Sequence, residues 1–397
     1  MSLSKGNSFL SSEFIKISLI NFAMMFGQSM VNILIPKYAN SLGATPTIVG
    51  IVTSVFALSA LLIKPFSGPA IDSFNKKYIL FGSGILISLA FLIYSVADSI
   101  NLLILARLVH GFGLGFTVLA CLTIVSDIVP EKDLTTGIAV FSVAAAVSSA
   151  FGPQTGLLLL KALGFSTTFL IGMTIMILSS ITALTLKTTN KSSIKYRIDF
   201  KNLYAKEALI PATIMMLLSA VYVNVTAFIV LFSESVGVMN IGLFFTVNAL
   251  ALVFSRPIIA RLSDRFGIEK MLPLSIVVFG LSMIFISYSN SQSMFLFAAI
   301  LNAFGYGAAQ PLIQSLCMKS VPKNRRGSAS ATSYYGTDIG YLAGPVISGK
   351  IIESFGYQMM FRFTPVLLGI ALFVFFSYRT KIIAIDRYQE VEKVLNS

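Results

Sequence analysis

Shifted by 192 residues, from residue 64 to residue 256, this chain lays its polar landmarks on top of one another. Lys64-Pro65 falls on Arg256-Pro257, Asp72-x-Phe74 on Asp264-x-Phe266, and Gly113-x-Gly115 on Gly305-x-Gly307. Pro130 meets Pro322, Gly152-Pro153 meets Gly344-Pro345, and Gly164 meets Gly356. One offset that holds from Asn32/Asn224 to Gly164/Gly356 means an internal duplication. Duplicated halves in a membrane chain face each other across a cleft, and a solute sits in that cleft.

The surroundings of those halves follow from composition. Of the 397 residues, 56% are hydrophobic and 11% charged, with a mean hydropathy of +0.85. A soluble protein carries about 25% charged residues, so the solvent expected for most of this chain is lipid. About twelve apolar runs are long enough to cross a hydrocarbon layer of about 30 Å as helices. They cover 14–36, 47–71, 78–97, 101–126, 135–160, 165–186, 208–233, 240–261, 271–289, 294–318, 328–351 and 357–378. Alternating ten-residue segments are missing, which excludes a membrane barrel. The expected fold is all-α and polytopic, with 12 transmembrane helices in two pseudo-symmetric six-helix bundles. The domains are residues 1–187 and 208–379, a cytoplasmic linker at 188–207, and a tail at 380–397.

The net charge of +13 points to orientation rather than to nucleic acid. An even number of spans leaves both termini on one side. That side takes 24 of the 29 Lys and Arg, Lys64 and Arg256 among them; Lys37, Lys161, Lys350 and Arg362 lie opposite, and Arg107 alone is assigned to a span. This is the positive-inside pattern, so both termini are expected in the cytoplasm of a multi-pass plasma-membrane protein in contact with anionic lipid. No basic stretch interleaved with aromatics suggests a nucleic-acid partner. The first apolar run is too long for a cleaved signal peptide. Cys121 and Cys317 lie in apolar helices and read as packing residues, with no metal site implied.

Four segments carry motifs. The loop after the second span begins Gly68-Pro69-Ala70-Ile71-Asp72-Ser73-Phe74-Asn75, and its repeat copy ends Asp264-Arg265-Phe266-Gly267. A small residue allows close helix approach, and a carboxylate beside helix ends and basic groups interacts differently in two conformations. The fourth span reads Arg107-Leu108-Val109-His110-Gly111-Phe112-Gly113-Leu114-Gly115. A guanidinium inside a span is costly unless it faces water or a partner. The fifth span ends Ser148-x-x-x-Gly152-Pro153-x-x-Gly156, and the eleventh carries Gly340-x-x-x-Gly344-Pro345. Proline there permits a bend and the glycines permit close contact.

Together these segments resemble the signatures of the major facilitator superfamily, in particular its 12-helix drug:proton antiporters, over essentially the whole chain. The resemblance implies a conformational latch at Gly68, Asp72, Asp264 and Arg265. It also implies an interface between halves at Gly152, Pro153, Gly156, Gly344 and Pro345. Ser73 stands where the family has a basic residue, Asn75 where it has a turn glycine, His110 where Gln is common, and Ser148 where it has Gly. Asn tolerates left-handed backbone, so the turn at Asn75 is expected to survive.

Asp338 is the deepest carboxylate, about eleven residues into the eleventh span, with Tyr334 and Tyr341 expected on its face. Such a group is protonated, paired or wet, and together with Arg107 it is the candidate for proton coupling. Gln28, Asn32, His110, Tyr222, Asn224, Asn302, Tyr306, Gln310 and Gln314 are the remaining cavity candidates. Amides of this kind bind solutes or glue helices. The expected function is a proton-coupled secondary exporter of small amphipathic molecules, a monomer with no cofactor beyond the proton gradient. A metallophore exporter (from the resemblance of Asn32-Ile33-Leu34-Ile35-Pro36 and Asp338-x-Gly340 to that branch), an organic-solute importer and a lipid flippase are alternatives. A polytopic enzyme is disfavoured, because one His and scattered acids form no catalytic cluster.

Overall fold

The computed structural model describes residues 11–130, 133–187, 196, 204–322 and 325–383; of residues 134, 135 and 139 it describes the backbone alone. Most of the expected 188–207 linker, and the tail from 384 on, lie outside the described residues. The described residues form helices α1 (Ser12–Asn32), α2 (Ile35–Ser41), α3 (Pro46–Ser73), α4 (Lys76–Val96), α5 (Ile100–Ile128) and α6 (Leu134–Ala183). The second half supplies α7 (Leu209–Ser235), α8 (Gly242–Phe266), α9 (Ile268–Tyr288), α10 (Gln292–Lys319), α11 (Arg326–Phe363) and α12 (Pro365–Ser377). The architecture is all-α.

Ten helical stretches are long and apolar enough to span a membrane. Two of them, Thr136–Ala183 and Arg326–Ser377, run to 48 and 52 residues. At about 1.5 Å per residue each would exceed 70 Å, more than twice the roughly 30 Å that lipid offers. Each is broken by a glycine in left-handed backbone, Gly164 at φ 76° and Gly356 at φ 81°, where a side chain would be strained. The break at Gly164 is a reversal. Before it, Gly152 comes up against Ser29, and after it, Gly172 comes up against Val31, on the same turn of α1. Counting each broken stretch as two crossings turns ten into twelve.

The chain divides into two compact units, Met1–Tyr38 with Leu58–Ile198, and Ala39–Ala57 with Asp199–Ser397. The first half of α3 thus groups with the second unit. There Glu353 accepts a hydrogen bond from the Thr47 backbone N–H at 3.1 Å, satisfying a free donor at the start of α3. Large apolar side chains such as Leu62, Leu178, Phe254 and Phe373 are exposed, as lipid contact requires and water would penalise. Cys121 and Cys317 are buried and free.

Backbone contact between paired helices is the main packing device in both units. Gly336, Gly340 and Gly344 of α11 stand where a Cβ would overlap the carbonyl oxygens of Ala212, Met216 and Ala220. The spacing is four residues in both helices, so the two rows mesh rung for rung. In the first unit the row is Ser148, Gly152 and Gly156 against Phe22, Phe26 and Met30 of α1. Ser148 meets its rung by donating a hydrogen bond to the Phe22 carbonyl at 3.2 Å. The close contacts of Gly152, Gly156 and Gly344 are with a helix of their own unit. A second helix reaches α11 at Pro345, whose carbonyl lies where a Cβ on Gly50 of α3 would go.

Candidate functional site

The first unit builds its polar cluster around one guanidinium. Arg107, on the second turn of α5, is 4% exposed. Its Nη1 donates to Asn32 Oδ1 of α1 at 2.8 Å, and it lies near enough to Tyr94 of α4 to interact with it electrostatically. The Tyr94 hydroxyl lies 3.2 Å from His110 Nδ1. His110 is fully buried and meets Phe91 edge-on, with ring centroids 5.1 Å apart. Gly113 and Gly115 let α5 seat this cluster, because a Cβ on either would strike Ile87 of α4 or Ile63 of α3. The arrangement holds a buried positive charge in place. His110 belongs to its hydrogen-bonded shell. Gln28 is buried nearby in sequence on α1, and Asn32 is half-buried.

The second unit replaces that charge with rings and amides. Tyr222 of α7 and Tyr306 of α10 stack at 3.9 Å, with planes 9° apart. The Tyr306 hydroxyl is 3.5 Å from Ser219 Oγ, and Tyr341 of α11 is near enough to Tyr306 to interact with it electrostatically. Tyr341 in turn feels the charge of Asp338, which is half-buried on α11, twelve residues or roughly 18 Å from the helix start. Tyr334 does not join them; it is 48% exposed. Asn248 Nδ2 donates to the Ala299 carbonyl at 2.8 Å and to Asn302 Oδ1 at 3.2 Å. Asn224 is fully buried and turns its Nδ2 to its own helix, to the Ala220 carbonyl at 2.9 Å. Among the described residues, Asn302 Nδ2 and Asn224 Oδ1 have no hydrogen-bond partner. Gln310 and Gln314 are half-buried on α10.

Among the described residues, nothing lies within 4 Å of a Cβ built on the expected latch residue Gly68. Asp72, Asp264 and Arg265 are exposed at the ends of α3 and α8, and the Arg265 guanidinium lies over its neighbour Phe266 at 5.2 Å. Ion pairs at helix ends include Lys76 with Asp127, joining α4 to α5, and Arg325 with both oxygens of Glu207 at 2.8 and 3.4 Å. Asn75 has φ −66°, not left-handed backbone, and keeps the turn by capping α4, its side chain accepting from Lys77 N at 3.2 Å.

Two cations were assigned to the wrong depth. Lys64 stands nine residues before the end of α3 and Arg256 ten before the end of α8, roughly 14 and 15 Å inside. Removing them from the count leaves 22 cations against 4. The signal for them was present in the sequence: each precedes a proline, and they coincide at the repeat offset.

A family model described as the Major Facilitator Superfamily matches residues 17–238 and 209–385. The staphylopine export protein of Staphylococcus aureus is 22% identical over 91% of this chain and 95% of its own. The multidrug resistance protein MdtG of Klebsiella pneumoniae is 24% identical over 87% of each. Among solved structures, a point mutant of the nucleoside transporter NupG superposes with a TM-score of 0.80 at 16% identity, over 92% of this chain and 99% of its own. That likeness speaks to the fold. The two family matches between them take in both duplicated halves, and the chain belongs to the Major Facilitator Superfamily.

Proposed function

We propose that this member of the family is a proton-coupled exporter of small amphipathic molecules, energised by the proton gradient without a bound cofactor. The family makes it a membrane transporter and not an enzyme. Export is supported by the names of full-length relatives, an export protein and a multidrug resistance protein. Two six-helix halves, 1–187 and 208–379, would alternate access to a central site. A monomer in the plasma membrane with both termini cytoplasmic agrees with the corrected charge count.

Coupling rests on one observation, the Asp338 carboxylate held at mid-span beside the buried Tyr341–Tyr306–Tyr222 row. A carboxylate at this depth changes its cost sharply with protonation. It takes a proton when open outward and releases it when open inward. Solute moves the other way, provided proton and solute favour different states. Arg107, fixed by Asn32 and Tyr94, supplies a standing positive field in the first half. A metallophore cargo is the second reading, favoured by the staphylopine exporter among the relatives.

The test is a solute-accumulation screen in a host stripped of its major exporters, comparing the wild type with Asp338→Asn. Uphill export should be lost in the variant while it still purifies as a folded protein. Unchanged uphill export by Asp338→Asn rejects the proton-carrier role.

A further inference from the structure

We propose that Arg362 and Tyr288 form a binding site for the phosphodiester of an anionic phospholipid, with one acyl chain lying along the seam between α9 and α12. The site lies on the membrane face assigned opposite both termini, and it depends on neither cargo nor coupling.

The cations assigned to that face are Lys37, Lys161, Lys350 and Arg362. Arg362 stands six residues past the break at Gly356, roughly 9 Å into the span that follows. A cation at that depth is costly unless it reaches the interface or a partner. Its guanidinium carbon lies 4.2 Å over the ring of Tyr288, the last residue of α9. Its Nη1 donates to Met359 Sδ at 3.6 Å, and a thioether is a weak acceptor. Its Nε is buried and, among the described residues, has no hydrogen-bond partner. The guanidinium is thus held flat between a ring and a sulfur. Among the described residues none of its N–H groups meets an oxygen, and it forms no ion pair.

What it lacks is an oxyanion, and the bilayer supplies one at this level. Side chains on a helix lean toward its N-terminus. The N-terminal end of this span is the outer one, so Arg362 leans toward the lipid phosphates. The guanidinium fork matches a phosphate in two parallel hydrogen bonds. In phosphatidylcholine the headgroup carries its own cation, which competes for that phosphate. In phosphatidylglycerol the phosphate is the only charge.

The surface next to the guanidinium suits a chain rather than a soluble ion. Thr364 keeps helical backbone between α11 and α12, at φ −56° and ψ −34°. Arg362 therefore shares a helix face with Val366, Ile370 and Phe373, all exposed. The seam beside them is shallow. A Cβ on Gly280 of α9 would come no nearer than 3.7 Å to Leu368 and 3.9 Å to Pro365, and one on Gly369 would meet nothing within 4 Å. Two glycines leave room there for a lipid tail.

The test uses the full chain in phosphatidylcholine nanodiscs doped with phosphatidylglycerol that carries a diazirine midway along one acyl chain. After illumination, labelled peptides are mapped by mass spectrometry. Label should concentrate on α12 residues 365–373 and on α9 around Gly280, and unlabelled phosphatidylglycerol should compete it away. Arg362→Gln should lower this labelling roughly tenfold. Arg362→Lys, which keeps the charge and loses the fork, should recover part of it. Tyr288→Leu should lower it about threefold. Lys350→Gln, which removes an exposed cation of the same face, should leave it unchanged.

The proposal falls if label spreads evenly over the exposed helix faces of the wild type, a result that needs no variant to fold. It falls if folded Arg362→Gln labels like the wild type. Equal loss in Lys350→Gln would reduce the site to general charge attraction and reject it. Inorganic phosphate or glycerophosphoglycerol, the headgroup without its tails, should not compete. Competition by either as strong as that of the whole lipid would give the site to a soluble oxyanion and overturn the lipid assignment.

Discussion

Asn32 and Asn224 hold equivalent places on α1 and α7, and the two units treat them in opposite ways. Asn32 accepts from Arg107 across the bundle. At the position equivalent to Arg107 the second unit has Ala299, so Asn224 has no such donor and folds its amide back onto its own helix. His110 is replaced at its equivalent by Asn302, and a ring held by Tyr94 gives way to an amide with one free end. The first unit gathers its polar groups around the buried Arg107 guanidinium. The second has phenols and amides instead, with Asp338 on α11. Duplication supplied one frame twice, and the chemistry then separated: a buried guanidinium in one unit, phenols and amides in the other.

Four sets of substitutions would break or sharpen this contrast. The largest effect is expected from Gly340→Val, which would drive a side chain into the Met216 carbonyl and the Ala220 amide. Detergent-solubilised protein should lose its single chromatographic peak, whereas Gly68→Ala, facing open space, should elute like the wild type. Asp338→Asn comes next, with uphill export abolished but the thermal midpoint nearly kept. If the two clusters differ as described, Asn32→Leu should cost about 1–3 kcal/mol by stripping an acceptor from a buried guanidinium. Asn224→Leu removes a buried oxygen that is already unsatisfied and should cost under about 1 kcal/mol. Equal losses of thermal midpoint in that pair would erase the distinction. The smallest effects belong to the two copies of one turn. Asn75→Ala should cost about 1 kcal/mol for a lost cap. Gly267→Ala should cost a similar amount, about 1–2 kcal/mol, for forcing a side chain into φ 81°. Asn75→Gly should cost only a few tenths of a kcal/mol.

Much of the frame was legible in the sequence because hydropathy and repeat spacing are local properties. The apolar runs marked the spans, and the matched Gly164 and Gly356 fell where the long helices turn. The glycine rows were legible as patterns, but their partners were not. Which helix receives Gly152 or Gly344 depends on how whole helices lie against each other, and spacing along one strand of sequence carries no record of that. The Arg107–Asn32 bond was hidden for the same reason. Lys64 and Arg256 were counted with the loop cations although the apolar runs 47–71 and 240–261 already enclosed them; α3 and α8 run on beyond them to Ser73 and Phe266. Asn75 was expected to imitate the glycine of its repeat mate by conformation. It does so with its side chain, a route open to Asn and closed to Gly.

The reversal at Gly164 and the matching break at Gly356 each rest on a single residue. No slack lies between the two arms of such a hairpin, so neither arm can slide or tilt without dragging the other. In the first unit the two arms also grip the same turn of α1 from either side, at Ser29 and Val31. Those three rods then behave as one stiff lever. A nudge delivered to α1 at Asn32, where Arg107 holds it, would be felt along both arms of the hairpin at once.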